Sequence, residues 1–198
     1  MGWGDAVIVP SRTIEKHMRE DFNVSEDKIV RIPRGVDLEK YPFEQRKANQ
    51  KPIIAMIGRL TPIKGHKDFL KALSLLKKER GDFSAWLIGG NTEDNRYYED
   101  LIKMRDSLGL KNDVDFLGHQ EDIADLLKKI DHLVFPSTYP ESFGRVVIEA
   151  QAAGVPVVAS RLGGAQEIIE EGITGHLFQA GHPFELAAAI QRVFSNRE

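Results

Sequence analysis

Pro52-Ile53-Ile54-Ala55-Met56-Ile57-Gly58-Arg59-Leu60-Thr61-Pro62-Ile63-Lys64-Gly65, with the segment from His66 to Lys78 behind it, decides how this chain folds. Ile53 to Ile57 is an unbroken apolar run closing on a glycine, the pattern of a strand covered on both faces. After a short loop, Phe69, Leu70, Leu73 and Leu76 fall on one face of a helix over 66–78. The same strand-loop-helix unit then recurs. Strands are predicted at 83–88, 114–117, 132–135, 155–159 and 176–178. Helices are predicted at 95–108 (with Gly109 just past its end), 122–129, 143–153, 165–170 and 183–194. Six such units in a row imply a doubly wound, parallel, Rossmann-like α/β sheet of about six strands with helices on both faces. Its crossovers should be right-handed. Ligands of such sheets bind outside the carboxyl ends of the strands, so the loops after Ile57, Ile88, Leu117, Phe135, Ala159 and Phe178 are the ones to inspect.

Residues 1–50 are organised differently. Ala6 to Pro10 reads as a strand, Ser11 as the cap of a helix running to about Phe22, and Ile29 to Pro33 as a second short strand. Gly35 and the polar stretch from Glu44 to Lys51 read as hinge and linker. A single βα unit cannot bury its own faces, so this segment must pack on something.

Composition excludes several classes. A net charge of -3 gives no broad electrostatic case for nucleic acid. With no cysteine there is neither a disulfide framework nor a thiolate metal site, which fits a reducing compartment. No apolar run approaches the roughly 20 residues that span a bilayer. Met1 to Pro10 lacks the basic and apolar regions of a signal peptide. A cytoplasmic protein is expected, with peripheral membrane contact left open. The histidines form neither HxH nor HExxH, so no metal site is expected.

Glu141-Ser142-Phe143-Gly144-Arg145-Val146-Val147-Ile148-Glu149 carries the strongest chemical signal. Glu149 lies on a helix that is apolar nearly all round, where an unpartnered carboxylate is costly. Two readings are open: an i,i+4 pair with Arg145, or a carboxylate accepting hydrogen bonds from ligand hydroxyls in a cleft. Ser142, Phe143 and Gly144 are expected to open that helix. They form either an anion site of free amides or a plain Ser142 cap. Gly58-Arg59-Leu60-Thr61-Pro62-Ile63-Lys64-Gly65 is neither a Walker A loop nor GxGxxG, which disfavours a nicotinamide dehydrogenase. It places two cations at the carboxyl edge of the sheet, Arg59 able to fork onto phosphate oxygens and Lys64 able to act as a point charge. Gly118-His119 and Gly163-Gly164-Ala165-Gln166-Glu167 are glycine turns that suit either tight packing or a cleft wall.

Together these stretches resemble the retaining GT-B glycosyltransferases, the group of bacterial glycogen synthases, sucrose synthases and lipopolysaccharide or phosphatidylinositol sugar transferases. Glu141 to Glu149 looks like that family's EX7E motif, and Gly58-Arg59-Leu60 with Lys64-Gly65 like its glycine-arginine loop. Val157 to Ser160, Gly163-Gly164 and Gly172 to Gly175 also follow the family's order. The resemblance implies roles. Arg59 and Lys64 would hold the diphosphate of a nucleotide-sugar donor and stabilise the leaving nucleotide, and Glu141 would contact the sugar. Glu149 would bind the ribose hydroxyls. Ser142, Phe143 and Gly144 would offer amides to sugar and phosphate, and Gly58, Gly118 and His119 would line the nucleotide. No metal or other cofactor is implied. The resemblance also implies that residues 1–34 are the tail of a preceding acceptor-side domain, 35–51 the hinge and linker, and 52–198 the nucleotide-sugar-binding domain. Arg34 stands where the family usually has asparagine. With most of the acceptor-side domain absent, nucleotide-sugar binding with little or no turnover is expected. A nucleotide-sugar epimerase of the same fold and a non-catalytic nucleotide-binding module are the competing functions; Arg59, Lys64, Glu141 and Glu149 speak against the latter.

Overall fold

The structure is a computed structural model that describes residues 4–44, 49–90 and 95–195. The first part of the chain is a β-α-β unit. Strands β1 (Val7–Val9) and β2 (Ile29–Arg31) pair in parallel, flanking helix α1 (Arg12–Glu20). Ser11 caps α1 as its sequence position predicts, its hydroxyl accepting the Ile14 N–H. The helix stops at Glu20 rather than Phe22. Asn23 has a left-handed backbone (φ 51°), which ends the turn.

The main sheet contains β3 (Ile53–Ile57), β4 (Ser84–Ile88), β5 (Val114–Gly118), β6 (His132–Phe135), β7 (Val157–Ser160) and β8 (Gly175–Phe178). Its helices are α2 (His66–Glu79), α3 (Arg96–Ser107), α4 (Ile123–Leu127), α5 (Arg145–Ala152) and α6 (Pro183–Ser195). The six strands lie all parallel in the order β5-β4-β3-β6-β7-β8, so the expected doubly wound α/β sheet is what forms. Strand alternation divides the core. Ile54, Met56, Val134 and Val158 face Phe69, Leu70 and Leu73 of α2 and Leu186 and Ile190 of α6. Ala55, Leu133, Phe135, Val157 and Ala159 face Leu127 of α4 and Val147 and Ala150 of α5. The central strands β3 and β7 read as nearly continuous apolar runs because both of their faces are covered.

Four expected elements differ in their bounds or type. Helix α5 starts at Arg145 rather than Phe143, because Gly144 holds the N-cap with φ 95° and ψ 57°. The helix expected over 165–170 is instead a 3-10 turn, Gly163–Glu167. The strand expected from Val155 starts two residues later, and α4 is shorter than 122–129, with Asp122 as its cap accepting the Asp125 N–H. Of the linker expected over 44–51, residues 45–48 lie outside those described. Asn49 is tied to the sheet, its side-chain amide donating to Asp131 Oδ2 at 2.8 Å.

The order of strands places a switch between β3 and β6. From this seam the chain winds outward through β4 and β5 on one side and through β7 and β8 on the other. In a doubly wound sheet, the carboxyl edge at such a switch is where a ligand is expected to bind.

Candidate functional site at the carboxyl edge

At this edge two loops are stitched together through backbone. Residues 58–65 leave β3 and close with a 3-10 turn, Pro62–Lys64. Thr138, in the loop after β6, donates its N–H to the Ile63 carbonyl at 2.8 Å. Gly65 has φ 81°, and a Cβ there would lie 1.9 Å from the Pro136 carbonyl oxygen, so only glycine allows this contact.

Across the seam, Lys64 Nζ donates to Glu141 Oε2 at 2.7 Å, with the two side chains only 18% and 21% exposed. Ser137 Oγ donates to the other carboxylate oxygen of Glu141. The ammonium also stands 5.6 Å from the centroid of the Phe135 ring. The cation is thus aimed by a carboxylate, a ring and a packed stem, the stem lying 3.6 Å from where a Gly58 Cβ would be. Arg59, one residue beyond Gly58, is exposed and forms no ion pair among the described residues. The Gly118-His119 turn reaches the same edge. Gly118 accepts the Gly89 N–H at 2.8 Å, and the His119 Cβ lies 3.5 Å from where a Gly90 Cβ would be.

Glu149 lies further along α5 and is 8% exposed. The i,i+4 pair that its spacing allows is formed, with Arg145 Nε 3.1 Å from Glu149 Oε1. Arg145 is 71% exposed, so this pair contributes little by itself. Buried Tyr41, in the segment between β2 and β3, stands beside the same carboxylate. Burial first, and Glu149 second, push its hydroxyl pKa up. Ser142 does not cap α5; its carbonyl instead accepts a hydrogen bond from Ser11. Phe143 is buried, and a Cβ on Gly164 would come within 2.6 Å of the Phe143 Cα. Next to Lys64, His66 is buried and its pKa is pushed down to about 4, chiefly by that burial and further by Lys64, against a hydrogen bond with the Thr61 backbone.

Contact therefore joins Lys64 with Glu141, and places Gly58, Gly118 and His119 along one edge. Glu149 is held by a separate set of partners. Sequence reasoning missed Ser137, Tyr41 and the joint between Ser11 and Ser142, since nothing in a serine or tyrosine away from a motif marks it. Among the described residues, no helix is long and apolar enough to cross a membrane.

The sequence model of the family described as Glycosyl transferases group 1 matches residues 37–198, and one described as Glycosyltransferase Family 4 matches residues 1–40. The chain belongs to the group 1 glycosyltransferase family. A D-inositol 3-phosphate glycosyltransferase of Nocardia farcinica is 30% identical over 98% of this chain and 46% of its own. Among solved structures, a glycosyltransferase of Rickettsia africae superposes with a TM-score of 0.89 at 30% identity, covering 96% of this chain and 53% of that one. The Anabaena protein HepE in complex with UDP-glucose gives a TM-score of 0.88 at 30% identity, covering 98% of this chain and 55% of that one. The fold is half of a GT-B fold, and the chain spans about half the length of the curated relatives it matches.

Proposed function

We propose that this chain binds a nucleotide-sugar and forms the donor half of a retaining, hexosyltransferase-like enzyme. The observation carrying this proposal is the Lys64–Glu141 pair across the β3–β6 seam, a partly buried cation where a ligand of a doubly wound sheet binds. Lys64 and Arg59 meet the diphosphate and stabilise the charge that grows on the leaving nucleotide, which is the largest catalytic contribution in many enzymes. Glu141, released from Lys64, turns to the sugar hydroxyls. Glu149 exchanges Arg145 for the ribose hydroxyls, while the Ser142–Gly144 amides reach sugar and phosphate and the Gly118-His119 turn borders the base. With two cations on the diphosphate, the proposed mechanism uses no metal. Residues 1–34 are the tail of an acceptor-side domain and 35–51 its hinge, supported by the family match over residues 1–40. Transfer to an acceptor requires the rest of that domain.

HepE was solved with UDP-glucose, so that is the first ligand to try. Saturation-transfer NMR against UDP-, GDP- and ADP-sugars should detect binding to one base, lost in Lys64→Ala and in Glu149→Ala. A folded wild-type chain that binds none of them would reject the proposal. Normal transfer rates from the 198-residue chain in a radiolabelled sugar assay would reject the division into halves.

A further inference from the structure

The first turn of α1 is tied to the rest of the chain by a joint separate from the nucleotide-sugar contacts. A helix leaves its first N–H groups without intrahelical acceptors. In α1 the Arg12 N–H donates to Glu167 Oε2 at 2.8 Å and the Thr13 N–H to Glu167 Oε1 at 2.9 Å. The Ile14 N–H donates to Ser11 Oγ at 3.2 Å, and from Glu15 onward the regular ladder takes over. Thr13 Oγ1 adds a further bond of 2.9 Å to the same carboxylate. The Arg12, Thr13 and Ile14 N–H groups are thus all satisfied, two of them by one side chain 154 residues or more further along the sequence. A carboxylate at the positive end of the helix dipole is also electrostatically favoured.

The same joint reaches the loop before α5. Ser11 Oγ, while accepting from Ile14, donates to the Ser142 carbonyl at 2.6 Å. Glu167 ends the Gly163–Glu167 turn, and within that turn the Gly164 N–H donates to the Glu141 carbonyl at 2.8 Å. Beside the joint a cavity of about 540 Å³, lined in part by Arg12, Arg31, Phe143 and Ile168, opens between the two parts of the chain.

We infer that Glu167 is a positioning residue: its carboxylate clamps α1 onto the main sheet and, through Ser11 and the Gly163–Glu167 turn, sets the conformation of residues 141–144. The clamp stands on these hydrogen bonds. Its consequence for ligands rests on the nucleotide-sugar function proposed above, and predicts that the sugar side of the site depends on α1 being docked.

The test compares the full chain with Glu167→Ala and Glu167→Gln by amide hydrogen exchange and by titration with UDP and UDP-glucose. In Glu167→Ala, exchange should accelerate at Arg12, Thr13 and Gly164 and stay unchanged in β3. Gln keeps the shape but turns a donor toward one N–H, so its effect should be intermediate. UDP-glucose affinity should fall about fivefold or more, with UDP affinity changing by less than about twofold. Unchanged exchange at Arg12 and Thr13, or acceleration confined to those two with Gly164 unaffected, would overturn the clamp's link to the loop. Equal weakening of UDP and UDP-glucose would overturn its role on the sugar side. If wild type binds neither nucleotide, the proposed function fails, while the exchange comparison still decides the clamp. Should Glu167→Ala not fold, Thr13→Val removes one bond of the joint and should give a smaller shift of the same pattern.

Discussion

Gly65 carries two constraints at once, a left-handed backbone and a Pro136 carbonyl where a Cβ would stand. Gly65→Ala should therefore cost about 2–4 kcal/mol, read from urea denaturation; a cost under about 0.5 kcal/mol, as on an unconstrained surface, would show that the two loops separate easily. Its neighbour His66 makes a pH prediction. The folded-state pKa of about 4 lies below the ordinary 6.5, so between these values the unfolded chain binds a proton that the folded chain does not. Stability from this group is fully present above pH 6.5 and is lost as pH falls toward 4, up to about 3 kcal/mol. His66→Gln should flatten the stability curve in that window relative to wild type; identical slopes would mean that another group sets it. At this scale the sequence is partly legible. Lys64 and Glu141 announce themselves as charges on strand-end loops, and their pairing follows once β3 and β6 are neighbours. Tyr41 and Ser137 do not, because their importance comes only from which carboxylate the fold sets beside them.

Among the elements, α2 joins site and core. It follows directly from the Lys64–Gly65 turn, and Phe69, Leu70 and Leu73 are fully buried on its inner face. Leu73→Ala should cost about 2–5 kcal/mol in urea denaturation through lost burial and the cavity left behind; a cost below about 1 kcal/mol would mean that the α2–α6 interface repacks. Elements with a sustained apolar face or run were readable to within a residue or two, since periodicity directly reports burial. Those set by backbone geometry were not. Gly144 delays α5, and the Gly163–Glu167 turn replaces an α-helix. That α1 must pack on something followed from its isolation. Its partner did not, because Glu167 lies 155 residues from Arg12 and meets α1 mainly through backbone N–H groups, which leave no trace in side-chain pattern.

Taken whole, the molecule pairs a broad sheet with a narrow one. Two parallel strands of three residues cannot stand alone, and Ile8, Val30 and Ile32 remain exposed, so β1 and β2 owe their order to α1 docking. Amides of Val7–Val9 and Ile29–Arg31 should exchange through a lower-energy opening than those of β3 and β7, as hydrogen exchange under mild denaturant would reveal. Equal protection would instead mean that both sheets open as one unit. The alternation of strands and helices made the parallel architecture legible, whereas the docking of the small unit needed coordinates. The winding outward from β3 and β6 has a practical corollary. All candidate contacts gather on one rim, and the opposite rim holds turns such as exposed Lys111-Asn112, ahead of β5. A fluorophore, affinity tag or inserted reporter placed there would stand a full strand length from the proposed nucleotide-sugar contacts, leaving them clear in a binding assay.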